Sequence, residues 1–189
     1  PSGGTARTYA RLDGLISWRT WIEAVRAGRT VATNGPLLFA EVDGQEPGSE
    51  LSSRGQVTVE VDLTTIAPVE VIEIIVDGDV AHTISVREGE SQLTAEESIS
   101  VDGARWIAVR ARGGKARYSG DNYTFAHTTP VYFTDAPPND ASKASADFLT
   151  AVIEEIWRRV DQRDAWLRPE DREVYRRHLD EALTRLAAN

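Results

Sequence analysis

Between residues 56 and 65 the chain reads QVTVEVDLTT, so Val57, Val59, Val61 and Leu63 alternate with Thr58, Glu60, Asp62 and Thr64. A period of two places the four apolar side chains on one face of a strand and the polar ones on the other. Such a segment requires a sheet with one face against a core and one in water. Strand-forming runs near 37–42, 69–77, 79–86, 92–101, 104–112 and 123–133 predict six more strands. Asp43-Gly44, Pro47-Gly48, Asp77-Gly78 and Asp102-Gly103 punctuate these runs, the last two placed as two-residue hairpin loops. The expected fold is mainly β with α: an immunoglobulin-like antiparallel β-sandwich over residues 37–136.

Helical periodicity flanks this region on both sides. Trp18, Trp21, Ile22 and Val25 fall at i, i+3, i+4 and i+7, with Ser17 as N-cap and Gly28 just past the end, which predicts a helix over 17–27. Residues 29–33 read as a strand, and Asn34-Gly35-Pro36 as a tight reversal. Residues 1–36 therefore form a short helix-strand segment ahead of the sandwich, with PSGG read as a cut linker. After Pro137 and Pro138 the period returns to 3.6. Phe148, Leu149, Val152, Ile153, Ile156, Trp157 and Val160 line one face of a helix, and a second helix opens at Pro169. Residues 137–189 read as an αα-hairpin that packs on the rest, since so amphipathic a pair is marginal alone.

The sequence excludes several kinds of chemistry. It holds no Cys, so disulfides, thiolate metal sites and cysteine nucleophiles are absent. Its net charge is −9, and residues 1–140 carry 12 basic against 20 acidic side chains, which repels phosphate backbones; no nucleic-acid partner is expected. No apolar run approaches the ~20 residues that cross a bilayer, so no membrane partner is expected either. The compartment stays open, secreted or periplasmic included.

The three histidines, His82, His127 and His178, fall in three different predicted elements with no close pair such as HxH, so the spacing encodes no metal site. There is no GxSxG elbow, Walker loop or dinucleotide fingerprint. GGKARYSG (113–120) has no following helix to hold a phosphate and reads as a hairpin tip. The adjacent acids Glu96 and Glu97 point to opposite faces of a strand and cannot flank one bond. Asn122-Tyr123-Thr124 matches a glycosylation sequon, which matters only in a eukaryotic secretory route. The five tryptophans, Trp18, Trp21, Trp106, Trp157 and Trp166, are expected in cores, with a sugar-stacking surface as the alternative.

Three stretches carry a resemblance. RTYARLDG…SWRTWIEAVRAGRTVATNGPLLFAEVDGQEPG, ARWIAVRARGG (104–114) and FAHTTPVYF (125–133) resemble, in order, the end of the catalytic domain and the following region of CehA/McbA-type metallohydrolases of the PHP (polymerase and histidinol phosphatase) superfamily. The resemblance implies an upstream PHP catalytic domain as partner, with a divalent metal (Zn, Mn or Fe) held there and used for ester, carbamate or phosphate hydrolysis. It implies no cofactor and no catalytic or metal-binding residue in this chain, which would act as a non-catalytic accessory region. Arg29, Thr33 and Asn34 either build the turn or face the active-site mouth of the parent. His127 is a sandwich hydrogen-bonder, a domain-interface residue or a substrate contact. A homo-oligomer is compatible with this reading, and an autonomous carbohydrate- or peptide-binding module is its alternative.

Overall fold

The computed structural model describes residues 6–52, 55–117, 120–135 and 140–187. It contains two compact units, Pro1–Pro137 and Pro138–Asn189.

The first unit is a pair of sheets. In chain order come strand β1 (Arg7–Ala10), helix α1 (Trp18–Arg26) and strands β2 (Thr30–Thr33) and β3 (Leu37–Val42). There follow β4 (Glu50–Leu51), β5 (Gln56–Thr64), β6 (Val71–Val76), β7 (Asp79–Ser85), β8 (Gln92–Ser100), β9 (Trp106–Gly113), β10 (Thr124–Thr128) and β11 (Val131–Phe133). One sheet runs β3-β5-β8. In the other, β9 pairs with β6 on one edge and with β10 and β11 in succession on the other, β7 extends beyond β6, and β2 then β1 extend beyond β10. The short β4 pairs parallel to β11.

The alternating apolar residues of β5 are the centre of the core. Val57, Val59, Val61 and Leu63 are at most 2% exposed, and they join one cluster with Leu38, Ala40 and Ile99 of their own sheet and Ile72, Ile74, Ile107, Val109, Ala111 and Ala126 of the other. The two sheets therefore face each other across this layer, and each buried Val or Leu contributes about 1.5–3 kcal/mol.

Helix α1 starts and stops as its sequence predicts. The Ser17 hydroxyl accepts from the Thr20 N–H, and the Thr20 hydroxyl meets the Ser17 N–H in return. At the other end Gly28 takes a φ of 70°, its N–H donates to Val25 O, and the Arg29 N–H donates to Ala24 O, closing a Schellman motif. The Asp77-Gly78 hairpin also forms, both residues at positive φ between Val76 and Asp79.

Several details differ from the sequence reading. Asp102-Gly103 is not a hairpin loop: it is a turn closed by the Ala104 N–H on Val101 O, and it carries the chain from β8 in one sheet to β9 in the other. Of its two central residues only Gly103 has positive φ, whereas the twist of a two-residue type I′ hairpin needs both. The expected strand 123–133 breaks at Thr129-Pro130, where Pro130 has no N–H to give a ladder. Strands β1 and β4 went unread, being four and two residues long. The Pro137-Pro138 stop and PSGG lie outside the described residues.

The second unit is the helical hairpin, α2 (Asp140–Arg163) and α3 (Pro169–Ala187). Arg172 donates to both carboxylate oxygens of Asp161, at 2.6 and 3.0 Å, and Arg176 to both of Glu154, at 3.0 and 3.1 Å. Trp157, Trp166 and Tyr175 cluster with ring centroids 5.8–6.5 Å apart, and Arg172 and Arg176 lie over the Trp157 ring. Among the described residues α3 buries none. No described helix is long and apolar enough to cross a membrane.

Two glycines of the resembling stretch meet backbone to backbone. A Cβ on Gly48 would lie 2.0 Å from Ala27 O, and one on Gly28 would lie 2.9 Å from Gly48 Cα. Gly48→Ala is therefore expected to destabilise the chain by about 3 kcal/mol or more, through strain and backbone displacement. Gly44→Ala, also at positive φ but with open space around it, should cost only about 1 kcal/mol. Urea midpoints of the two variants check this contrast.

Candidate functional site

The four residues singled out by sequence do not converge on one point. Thr33 and Asn34 act together on the β10 segment. The buried Thr33 hydroxyl donates to Pro36 O at 2.6 Å and approaches Phe125 O at 3.1 Å, while accepting from the Gly35 N–H. The Asn34 side chain donates to Tyr123 O at 2.8 Å and to Asp121 at 3.1 Å, and accepts from the Phe125 N–H at 2.8 Å. Its amide is thus spent on the 121–125 loop, and the reversal at Asn34-Gly35-Pro36 is fastened to β10.

His127 lies on the opposite face of the sheet. Its neighbour Ala126 is in the core beside Thr33, so alternation turns His127 outward, next to Arg110 in register. Its Nδ1 is 2.5 Å from Thr128 O, and its ring is 6.2 Å from that of Phe125.

In the same cross-strand row, beyond Arg110, sits a carboxylate that sequence analysis did not single out. Glu73 is buried on this outer face, accepting from Arg110 Nε at 2.8 Å and Arg112 Nε at 2.9 Å, with a further close contact from Arg112 Nη2. The Arg112 bond, opposed by desolvation and reinforced by Arg110, lowers its pKa from 4.5 to about 2. The sequence signal was a lone Glu inside the apolar run VIEIIV, opposite two arginines two apart.

Arg29 ends on a different feature, a pocket of about 360 Å³ between β1, β2, β3 and the 46–47 turn. Its Nη1 bonds Asp13, and its Nε is buried without a partner. Thr33 also lines this pocket, whose walls are mostly apolar: Tyr9, Val31, Leu37, Leu38, Phe39 and Ala40. Arg11 closes on Glu46 at 2.6 Å at its rim.

The histidines stand on β7, β10 and α3, and among the described residues no three His, Asp or Glu side chains converge to hold a metal. His82 Nε2 instead lies 3.4 Å from Glu97 on β8.

The tryptophan expectation is corrected. Trp18 is 79% exposed and Trp21 is exposed too, while Trp106, Trp157 and Trp166 are half-buried. Helix α1 turns Ala24 inward and half-buries Ile22, while Trp18, Trp21 and Val25 of its apolar stripe, continued by Leu15 (87% exposed) and Ile16 (89%), are left exposed by the first unit.

Family models, curated proteins and solved structures were all compared with the chain, and none matches.

The Glu73 cluster sets a pH dependence. A carboxylate whose folded pKa lies below its unfolded value adds stability that is complete above pH 4.5 and is lost as pH falls through about 2. Urea unfolding across this window should show a loss of up to about 3 kcal/mol from this group. Glu73→Gln should flatten that slope and lower stability at neutral pH by about 2 kcal/mol, because it leaves the arginines without their carboxylate.

Proposed function

We propose that this chain is the non-catalytic accessory region of a PHP-type metal-dependent hydrolase, an immunoglobulin-type sandwich that stabilises or caps a catalytic domain preceding it. The supporting observation is the uncovered apolar stripe of α1. Leu15, Ile16, Trp18, Trp21 and Val25 form a continuous run of exposed large apolar side chains on one helix and its lead-in. A helix that is capped at both ends, yet turns its hydrophobic stripe to water, has the form of an interface element. It lies within the stretch that resembles the end of the catalytic domain. Hydrolysis of an ester, carbamate or phosphate, and the divalent ion for it, belong to that upstream domain. Thr33 and Asn34 serve the architecture in this reading, and Arg29 sits at the edge of the interface.

The second reading, an autonomous carbohydrate- or peptide-binding module, draws on the same exposed Trp18 and Trp21. Two indoles three residues apart on a helix present the stacking area such a ligand uses.

The readings part in two measurements. A polypeptide extended upstream of Pro1 should hydrolyse such substrates with Zn²⁺, Mn²⁺ or Fe²⁺, and this chain alone should not. Ile16→Ser with Trp18→Ser should leave the unfolding midpoint of this chain within about 0.5 kcal/mol, yet lower that of the extended polypeptide by about 2 kcal/mol or more. Turnover by this chain alone, or an extended polypeptide indifferent to both substitutions, would remove the proposal. Saturable glycan binding abolished by Trp18→Ser would favour the second reading.

A further inference from the structure

We propose that the free edge of β3 is a strand-addition site for an extended peptide segment in which apolar and basic residues alternate. The inference starts from an asymmetry between the two sides of the sandwich. On the β7/β8 side the edges are blunted: β7 carries a register shift against β6 at Ile74/Ile75, and β8 places Glu97 on its core-facing side, opposite Val59. His82 reaches Glu97 across that gap. Bulges and inward-pointing charges are devices that keep foreign strands off an edge.

Strand β3 itself carries neither a bulge nor an inward-pointing charge, and the chain that folds back at Gln45 pairs with Val42 alone, leaving Arg11 and Glu46 at the rim. Strand β3 reads LLFAEV, four apolar residues in succession. The sheet opposite overhangs it: β1 and β2 continue past β10, and the register puts Tyr9, Val31 and Thr128 in one row on the core-facing side. Val31 packs against the core, but Tyr9 is 45% exposed because the three-stranded sheet ends at β3. The 360 Å³ apolar pocket is the space where a fourth strand of that sheet would lie.

The backbone is ready for one. The Asp43 N–H donates to Thr58 O, and the Thr65 N–H to Ser91 O on the other side of β5. In an antiparallel ladder, hydrogen-bonded pairs recur every second residue. Leu37, Phe39 and Glu41 therefore bond to β5, while Leu38, Ala40 and Val42 direct their N–H and C=O groups away from it. Val42 spends its pair on Gln45. Leu38 and Ala40 present two donors and two acceptors to an incoming strand.

Charge selects its sequence. Inward side chains of the added strand would enter a pocket walled by Tyr9, Val31 and Leu38. Outward ones would lie beside Phe39 and Glu41, at the end of a cross-strand row Glu41, Glu60, Glu96. Three carboxylates directly opposite one another repel, and a Lys or Arg laid along Phe39 relieves them. The same row disfavours pairing of two β3 edges from two copies of this acidic chain.

The test uses this chain and a fluorescein-labelled eight-residue peptide alternating valine and lysine, followed by anisotropy. Saturable binding is expected, at least about tenfold tighter than that of a peptide alternating valine and glutamate. Glu41→Lys should reduce or reverse that preference. N-methylation of alternate peptide residues should abolish binding in one of its two registers, and the amides of Leu38 and Ala40 should exchange more slowly in the complex. No saturable binding, equal binding of the acidic peptide, or unchanged exchange at Leu38 and Ala40 would overturn the proposal. So would a concentration-dependent dimer abolished by Phe39→Asp, which assigns the edge to a second copy. The proposal is independent of the metallohydrolase reading and survives a failed hydrolysis assay.

Discussion

The pairing of β5 along both its edges is the constraint on which the first unit is built. Its inward residues, Val57, Val59, Val61 and Leu63, have essentially no solvent exposure. They fix the facing of β3 and β8 at once, because each is locked to β5 residue by residue. A slip of one position would bring Thr58, Glu60 and Asp62 into the core and turn four apolar side chains to water. Burial at this one strand therefore sets the register of the three-stranded sheet. That register in turn decides which backbone groups of β3 face outward.

The segment before β3 is held by a different kind of force. Thr33 and Asn34 bond the backbone of the 121–125 loop and β10, while Gly28 and Gly48 allow two loops to touch without side chains between them. The Gly48 N–H also reaches Pro130 O, at the break between β10 and β11. Polar bonds and close backbone approach thus tie α1 and β2 to β10 and the β10–β11 break. The residues that looked most like a motif, from Gly28 through Pro36 to Gly48, occupy positions where either the conformation or the contact tolerates few alternatives.

Most of the described strands and the three described helices were legible because alternation and helical periodicity are local signals. The capping of α1 by Ser17 and Gly28 was readable for the same reason. What stayed hidden was the destination of an apolar face. Trp18, Trp21, Ile22 and Val25 announce an amphipathic helix in any setting, but periodicity does not say where the partner face lies, so burial of the tryptophans was expected, whereas Trp18 and Trp21 are exposed and only Ile22 is half-buried. The pocket left a fainter trace. Leu37 and Phe39 are apolar where strict alternation calls for polar residues, an irregularity that becomes meaningful only once both are seen to line the pocket at the β3 edge. Strand β1 is too short to carry a pattern. Glu73 was visible as an acid in an apolar run, but its arginine partners lie more than 35 positions later and meet it only through the β6–β9 register.

Carboxylates on this sandwich are treated in three ways, and the differences follow from their neighbours. Glu73 loses water but gains two guanidinium partners, so it stays ionised while buried. Glu97 faces inward at an edge and meets His82, where its value is to exclude a foreign strand. Glu41, Glu60 and Glu96 stand opposite one another, and Arg11 lies 3.7 Å from Glu41. Unit charges about 5 Å apart in water repel by roughly 0.8 kcal/mol per pair before salt screening. The fold gains nothing in its core from that row, because all three point away from it. A small standing repulsion on the outer face is cheap for a stable sandwich, but it biases what can lie alongside β3. A cationic strand lowers the field of all three carboxylates at once, an acidic one raises it, and the backbone hydrogen bonds available to both are the same.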